Sequence, residues 1–328
     1  MIRYVKHQAV DRLQWDALIG KAPNGLIYAL SWYLDSVSPG WEAVVKEEQG
    51  RYVAVMPLPV RTKFGFRYLK QPLFAQQLGV FYLEAPTPQE WQEIGHVLRK
   101  RFRFVTRYSF NTANADLLTN EAFGVPITAF KTYYLSLRPT HAQLLAGYKA
   151  NRRWRLNQAR RQDLRLAPTT NIDLMIQIFH ENTASKIYGV VGEDYEYRLL
   201  RTLYASAAKK GLAEMWQAQL PDDDVVAMIL LFKFNNQFIY IFNSSTAVGK
   251  ETGAISLLLD GVFRTYAGQE ICFDFEAPEV ATVAHFYGSF GSVEMPFPSI
   301  SYNQLPWPLQ HAKAARTALL RRWRSRGQ

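Results

Sequence analysis

The sequence predicts an α/β protein of two related domains, each with a mixed central sheet flanked by helices. The first observation is the order of elements in the second half: strand, two helices, three strands, helix, strand, helix, strand. The first half has a similar order of strand, helices, hairpin, helix and strand, and residues 52–58 resemble residues 225–231. The third observation is the length of 328 residues with 48% hydrophobic content, which suffices for two cores. We therefore predict domains at 1–135 and 136–328.

Each element of the first half has a local signal. Asp11 is a candidate N-cap for the first helix, because its side chain can accept from the free N–H groups there. Residues 41–46 and 51–58 are two apolar strands around a Gly-containing turn, which predicts a hairpin. Apolar residues at helical spacing predict a helix over 88–102, and a strand follows at 104–110.

The second half has stronger helix boundaries. Asn171 is a candidate cap, and the helix predicted from Glu193 to Lys210 ends at Gly211, a residue that favours helix termination. The remaining predicted elements are strands at 212–219, 225–234 and 237–243, a helix at 255–266, a strand at 271, a helix from 280, a strand near 293 and a basic helical tail at 312–328.

The amino-acid composition indicates the cellular compartment and the classes of ligand that the protein could bind. The start of the chain has no apolar signal-peptide core, and no apolar run approaches the roughly 18 residues of a membrane span. The single cysteine, Cys272, lies in an apolar run and has no partner for a disulfide. These features predict a cytoplasmic protein without a transmembrane segment. The net charge of +10 is compatible with nucleic acid, anionic lipid or phosphorylated small molecules as ligands.

No metal site or nucleophile motif is visible in the sequence. The six histidines are scattered without ligand spacing, so no metal cofactor is expected. The pair Gly249 and Gly253 lacks the Lys-Ser/Thr ending that a P-loop requires, and no Gly-x-Ser-x-Gly elbow occurs.

The end of the strand near 271 carries the candidate chemistry. Asp274 and Glu276 are two positions apart, so on a strand they would share a face while Phe273 and Phe275 point into a core. A short helical segment then delivers Tyr287. We expect the two acids and the tyrosine to lie near one cleft, although helix capping or pairing with basic residues would also explain the acids.

A glycine-containing loop precedes the helix at 255–266. Glycines let the backbone approach a ligand, and a helix N-terminus presents free N–H groups that favour an anion. An ordinary strand-to-helix connection capped by Thr252 is the alternative interpretation. The candidate ligand-binding residues are Asn243, Ser244, Gly249, Lys250, Thr252, Gly253 and Ala254.

Two further segments are candidates for substrate binding. Residues 140–166 contain seven Lys or Arg residues against one acid, and Arg152 and Arg153 lie beside an aromatic residue. Such a run suits phosphate or nucleotide contact, but it is also typical of a solvated helix face. An uncharged segment contains Gln71, Gln76 and Gln77, whose amides could line a cleft between the domains or satisfy a buried turn.

The residues 271–276 followed by 284–291 resemble the end of a GNAT acyltransferase domain, in the variant found in the Fem peptidoglycan aminoacyltransferases. The resemblance implies two GNAT-like domains in tandem. It also implies that the loop before residue 254 cradles the pyrophosphate of acyl-CoA. Tyr287 precedes Gly291 as the thiolate-protonating tyrosine of the GNAT Tyr-x-x-x-Gly pattern precedes its glycine. This chain has Tyr287 after Phe286, where Fem relatives often have lysine.

The predicted activity is therefore N-acyl transfer from acyl-CoA to a small-molecule amine acceptor. Acyl transfer to an amine requires removal of a proton from that amine, for which Glu276 is the first candidate and Asp274 the second. One alternative is a Fem-like transferase that uses aminoacyl-tRNA and acts on a cell-wall precursor. A second alternative is a non-catalytic protein that binds nucleic acid or a membrane surface through its basic segments.

Overall fold

A computed structural model of the chain describes residues 1–63, 65–182, 194–277 and 280–305. The strands are β1 (Ile2–Val5), β2 (Glu42–Glu48), β3 (Arg51–Leu58), β4 (Val60–Lys63), β5 (Phe66–Lys70), β6 (Phe81–Tyr82), β7 (Phe104–Ser109), β8 (Ile127–Ser136), β9 (Arg165–Pro168), β10 (Ala213–Gln219), β11 (Val225–Phe234), β12 (Gln237–Ser245), β13 (Cys272–Asp274) and β14 (Val293–Asn303). The α-helices are α1 (Arg12–Lys21), α2 (Ser31–Val37), α3 (Pro88–Arg101), α4 (Asn120–Phe123), α5 (His141–Gly147), α6 (Ala150–Ala159), α7 (Ile172–Asn182), α8 (Asp194–Lys209), α9 (Ala247–Glu251), α10 (Ala254–Tyr266) and α11 (Ala281–Gly288).

The strands form a small antiparallel sheet and a larger mixed sheet, which confirms the predicted α/β class with helices around central sheets. The smaller sheet has the order β1-β2-β3-β6, and the larger has the order β4-β5-β7-β14-β8-β13-β12-β11-β10-β9. The larger sheet therefore contains strands from both halves of the chain. The predicted tail helix at 312–328 lies outside the described residues. No helix in the described ranges is long and apolar enough to cross a membrane.

The strand β8 connects the two halves. It pairs antiparallel with β13 on one side and with the C-terminal strand β14 on the other. The strand β14 also pairs with β7 of the first half. The predicted division between residues 135 and 136 falls at the end of β8, and the assignment of each half as a domain stays a prediction.

Local signals account for the helix starts. The side chain of Asp11 accepts a hydrogen bond of 3.0 Å from the Gln14 N–H, and that of Asn171 accepts one of 3.0 Å from the Leu174 N–H. Thr87 and Glu90 form a reciprocal capping box at the start of α3. These caps satisfy N–H groups that have no partner inside the helix.

The strand β11 separates two cores. Met228, Leu230 and Phe232 pack into the cluster that extends through the first half of the chain, whereas Ile229 and Leu231 pack into the other cluster, beneath α10. This division follows from the alternation of side chains along a strand. The continuous apolar run of β11 is explained because both faces of the sheet are covered here.

The larger sheet opens between β12 and β13. These parallel strands pair only from Gln237 to Ile239 and from Cys272 to Asp274. Beyond this point β12 remains paired with β11 as far as Ser245, with a register shift near Ile241. Because β13 ends at Asp274, the two chains diverge and leave space at the carboxyl end of the sheet.

Candidate active site

The end of β13 is held by a threonine from the first half of the chain. Asp274 is buried, and its carboxylate accepts hydrogen bonds from Thr132 Oγ1 at 2.6 Å and from the Glu276 N–H at 2.9 Å. Phe273 and Phe275 lie in the opposite core, as alternation predicts. Burial raises the pKa of Asp274 to about 6, and the two hydrogen bonds oppose that rise.

Glu276 lines a pocket of about 440 Å³ with residues from the first half of the chain. Burial, and then the charge of Asp274, raise the pKa of Glu276 to about 8. The buried hydroxyl of Tyr28 faces this carboxylate and opposes the rise in its pKa. The hydroxyl does not meet ordinary hydrogen-bond geometry with any of the described residues. A carboxyl group that titrates near neutral pH is suited to accept a proton. The lining residues are Gln71, Pro72, Leu73, Phe74, Ala75, Gln76, Arg107, Lys131, Glu276, Ala277 and Phe297.

The three predicted glutamines build the loop beside this pocket. The side-chain amide of Gln71 donates to the Ala75 carbonyl at 2.5 Å, and that of Gln76 donates to the Ala277 carbonyl at 3.0 Å. Gln77 is fully buried and accepts from the N–H of Thr112 at 3.0 Å. Gln71 and Gln76 therefore line the pocket, whereas Gln77 lies beneath it, and a role of these residues in substrate binding stays a prediction.

A second, larger cleft of about 780 Å³ lies beside the divergence of β12 and β13. Its walls come from α6, the end of β12, the segment from α9 to the start of α10, and α11. Its lining residues are Asn151, Arg152, Trp154, Arg155, Gln158, Tyr240, Asn243, Ser245, Gly249, Lys250, Glu251, Thr252, Gly253, Ile255, Ser256, Thr282, Val283, His285, Phe286 and Tyr287.

The N-terminus of α10 lies at this cleft. Its N-cap residue, Gly253, has φ 73°, a left-handed conformation that favours glycine, and no side chain of the residues described here caps the helix. An added Cβ at Gly249 would lie 2.1 Å from the Val226 carbonyl oxygen, so this glycine is required for close packing onto β11. The uncapped helix end provides N–H groups and positive potential for an anion.

Arg152 reinforces the positive character of the cleft. It is 5% exposed, and its guanidinium donates to Ser289 Oγ at 2.8 Å and to Ser256 Oγ near the start of α10. It also lies over the Phe286 ring at 4.1 Å. No carboxylate of the described residues pairs with it. Burial, and then the charge of Arg155, lower its pKa to about 10.

Tyr287 lies at the inner wall of the same cleft. It is buried, and its ring stacks on Phe275 at a centroid distance of 4.7 Å and meets Tyr240 edge-on at 6.0 Å. Burial and the charge of Glu276 raise its pKa well above the ordinary value. Glu276 and Tyr287 thus line two pockets, which corrects the expectation of one shared cleft.

The basic segment divides between structural and cleft-facing residues. Arg153 donates to the backbone carbonyl of Ala146 at 3.2 Å and does not line the cleft. Arg160 pairs at 2.9 Å with Asp260, a fully buried acid of α10. Part of the arginine-rich run therefore holds α6 onto the domain, while Arg152 and Arg155 face the cleft.

Five of the seven predicted loop residues line the cleft: Asn243, Gly249, Lys250, Thr252 and Gly253. Ser244 and Ala254 are buried, and their side chains are not among the lining groups. The roles assigned to all of these residues stay predictions. Within the described residues, no three His, Cys, Asp or Glu side chains are grouped closely enough to hold a metal ion.

Sequence reasoning missed four residues that shape the site. Thr132 and Tyr28 are distant in sequence from the acids they meet, and no motif marks them. Tyr240 and Ser256 sit in an apolar strand and an apolar helix, and they face the cleft only because of register. Alternation along β12 from Asn243 would indicate Ile241 instead of Tyr240, because the register shift near Ile241 changes which side chains share a face.

The opening between two parallel strands, beside a helix end without a side-chain cap, leaves room for a ligand at the carboxyl ends of those strands. Residues 147–279 match the family described as the acetyltransferase (GNAT) domain. A sequence comparison with curated proteins found no match.

Solved structures with the same overall fold include FemX, with 11% identity and a TM-score of 0.67, covering 92% of this chain and 98% of FemX. L-PGS from Bacillus licheniformis has 12% identity and a TM-score of 0.54, covering 93% and 96% of the two chains. A tandem GNAT protein from the clavulanic acid biosynthesis pathway has 12% identity and a TM-score of 0.51, covering 92% and 98%. Residues 147–279 are thus similar to a GNAT acetyltransferase domain, and the chain shares its overall fold with FemX and with a tandem GNAT protein.

Proposed function

We propose that the protein is a cytoplasmic N-acyltransferase that moves an acyl group from acyl-CoA to a small-molecule amine. The observation that carries the proposal is the placement of Glu276 and Tyr287, which follow one strand in the chain, at two pockets. Glu276, with its raised pKa, lines the pocket formed with the first half of the chain. Tyr287 lines the cleft that contains the start of α10. This arrangement supports an acceptor on one side and a donor on the other.

The donor belongs in the cleft that contains Arg152 and the start of α10. A buried cation without a carboxylate is costly, and an anionic ligand would compensate it. The uncapped helix end supplies N–H groups beside it. Lys250 and Arg155 add positive charge at the same cleft, against the single acid Glu251. The phosphates of CoA fit this charge pattern.

The acceptor amine belongs at Glu276. In the proposed reaction its nitrogen attacks the thioester carbonyl, the C–N bond forms and the C–S bond breaks. The carboxylate of Glu276 takes a proton from the amine, and the departing thiolate receives a proton from the Tyr287 hydroxyl. Asp274 does not contact the pocket and instead positions Glu276 through its backbone N–H.

An aminoacyl-tRNA donor with a cell-wall precursor as acceptor is the second candidate. The exposed Arg153 on α6 and Arg161 just after that helix favour it, because they would meet the backbone of a nucleic acid outside the cleft. In this case the same ester-to-amide chemistry would occur at Glu276, with a ribose hydroxyl as the leaving group.

The proposal is tested by supplying donors and acceptors separately. The purified protein is incubated with acetyl-CoA and a panel of primary amines, and thiol release and N-acetylated product are measured by mass spectrometry. A parallel reaction uses aminoacyl-tRNA. Product from acetyl-CoA that depends on Glu276 supports the first candidate, and product from aminoacyl-tRNA alone supports the second. Binding without product from either donor would contradict an enzymatic role.

A further inference from the structure

The outer edge of the donor cleft has an exposed tryptophan that the core does not explain. Trp154 lies on α6, is 61% exposed, and lines the same cleft as the start of α10. Large aromatic side chains bury up to 250 Å² when they are covered, so an indole left in water at a cleft is a candidate contact surface. The neighbouring cleft residue Arg155 adds a cation beside it.

The helix α6 presents one continuous face to the cleft, with different chemistry at its two edges. At roughly 100° per residue, the lining residues Arg152, Arg155, Asn151, Gln158 and Trp154 follow one another around less than half of the helix circumference. Arg152 is at the buried edge, hydrogen-bonded to the start of α10, and Trp154 is at the exposed edge. The two side chains are therefore separated by about one helix diameter, roughly 10 Å.

We propose that Trp154 stacks on the adenine base of the donor, while its phosphates lie toward Arg152 and α10. The inference rests on the proposed function and specifies which part of the donor is recognised at the cleft edge. A nucleotide fits this arrangement, because it carries anionic groups and a flat ring that can lie about one helix diameter apart. Both CoA and the 3′ end of tRNA carry an adenosine, so the same contact would serve either donor. Stacking on an aromatic side chain needs no base-specific hydrogen bond.

The test compares Trp154→Leu with Trp154→Phe. Leucine keeps an apolar side chain of good helix propensity but removes the ring, whereas phenylalanine keeps a smaller ring. Affinity for CoA and for 4′-phosphopantetheine, which lacks the adenosine part, is measured by calorimetry. We expect Trp154→Leu to weaken CoA binding about 5- to 100-fold, from the usual range of base–aromatic stacking. The Trp154→Phe variant should lose much less CoA affinity. The affinity for 4′-phosphopantetheine should be the same in the wild type and in both variants.

Further binding measurements distinguish CoA from tRNA as the ligand that carries the adenosine, and they test explanations other than stacking. If tRNA binds instead of CoA, the Trp154→Leu effect should disappear when the 3′-terminal adenosine is removed. An equal loss of CoA and phosphopantetheine binding, or no loss of either, would overturn stacking while leaving the proposed function intact. The same holds if Trp154→Leu impairs only binding to anionic lipid vesicles. If the wild-type protein binds neither donor, the proposed function and this inference both fail. Leu13→Ala, at an 86% exposed position on α1, serves as the substitution control.

Discussion

Thr132 donates a hydrogen bond of 2.6 Å to the carboxylate of Asp274, although 142 positions separate the two residues in the chain. Thr132 lies on β8, the strand that ends the first half of the chain, and Asp274 ends the strand that precedes the candidate base. The same threonine oxygen accepts from the Ala277 N–H at 3.3 Å. The geometry around Glu276 thus depends on β8, which lies between β13 and β14 in the sheet. The hydrogen bonds of Thr132 connect the two halves of the chain at the site.

Replacing Thr132 should destabilise the protein in a pH-dependent way. The hydrogen bond from Thr132 lowers the pKa of Asp274, so Thr132→Val should raise it further above about 6. The carboxylate is ionised in the folded protein above that pH and then lacks its buried donor. We expect a loss of about 1–3 kcal/mol in the free energy of unfolding at pH 8, and a smaller loss at pH 5, from urea unfolding at both values.

Thr132→Ser is the matched control, because it keeps the hydroxyl and removes only a methyl group. Its loss of stability should be nearly the same at pH 5 and pH 8. An equal pH response of the valine and serine variants would contradict the assignment of the effect to this hydrogen bond.

Arg152 should be dispensable for folding but required for the donor. Arg152→Met removes a buried, uncompensated cation and keeps an unbranched side chain between aromatic rings. We expect a melting temperature equal to or above that of the wild type, and CoA affinity at least 10-fold weaker, by thermal denaturation and calorimetry.

Arg153→Met is the control for this prediction, since Arg153 lies next in sequence but outside the cleft. It should leave CoA affinity within about twofold at physiological salt, because exposed charges are strongly screened. If Arg152→Met unfolds the protein, or if both variants lose the donor equally, Arg152 is not a specific donor contact.

Activity should rise with pH through the titration of Glu276. The proton acceptor is the ionised form, and its pKa is raised to about 8, so kcat/KM should increase up to that pH and then level off. The acceptor concentration is expressed as free amine, so that its own titration does not contribute. Glu276→Gln should lower turnover by roughly 10²–10⁴-fold and abolish this rise, with donor affinity unchanged.

The stability of Glu276→Gln gives an independent check on the same titration. Because the pKa of Glu276 is raised in the folded state, the free energy of unfolding of the wild type should fall as the pH rises from the ordinary glutamate pKa of about 4.5 to the folded value of about 8. The glutamine variant should therefore match the wild type near pH 4 and exceed its stability at pH 9. A wild type with no relative loss across this range would contradict the raised pKa.

The elements and the donor-side loop could be predicted because their signals are local. Asp11 and Asn171 cap helices through residues three positions away, and Gly253 marks the start of α10. By contrast, Arg152 and Arg153 look alike in the sequence, and only the packing of α6 on α10 buries one of them. No local pattern could identify Thr132, because it meets Asp274 through the pairing of β8 with β13.

The backbone conformation of Glu276 explains why the prediction of one cleft for Glu276 and Tyr287 was wrong. Sharing a face with Asp274 requires extended backbone through Glu276. The strand instead ends at Asp274, and Glu276 has φ 46°, in the left-handed region. The carboxylate of Asp274 accepts the Glu276 N–H across this turn. The chain therefore turns Glu276 toward the pocket of the first half, while Tyr287 remains on the donor side.

Donors with different leaving groups can distinguish a role of Tyr287 in protonating the leaving group from a role in packing alone. Tyr287→Phe keeps the ring that stacks on Phe275 at 4.7 Å and removes only the hydroxyl, so the fold should be retained. If the hydroxyl protonates the departing thiolate, the chemical step with acetyl-CoA should slow by about 10²-fold or more. A thioester whose thiol is several pKa units more acidic needs less help, so the difference between wild type and variant should shrink toward unity with that donor. Rapid-quench measurement of the acyl transfer step isolates this effect from donor binding. A constant ratio across donors would instead assign Tyr287 to packing, and the leaving group would then take its proton from water.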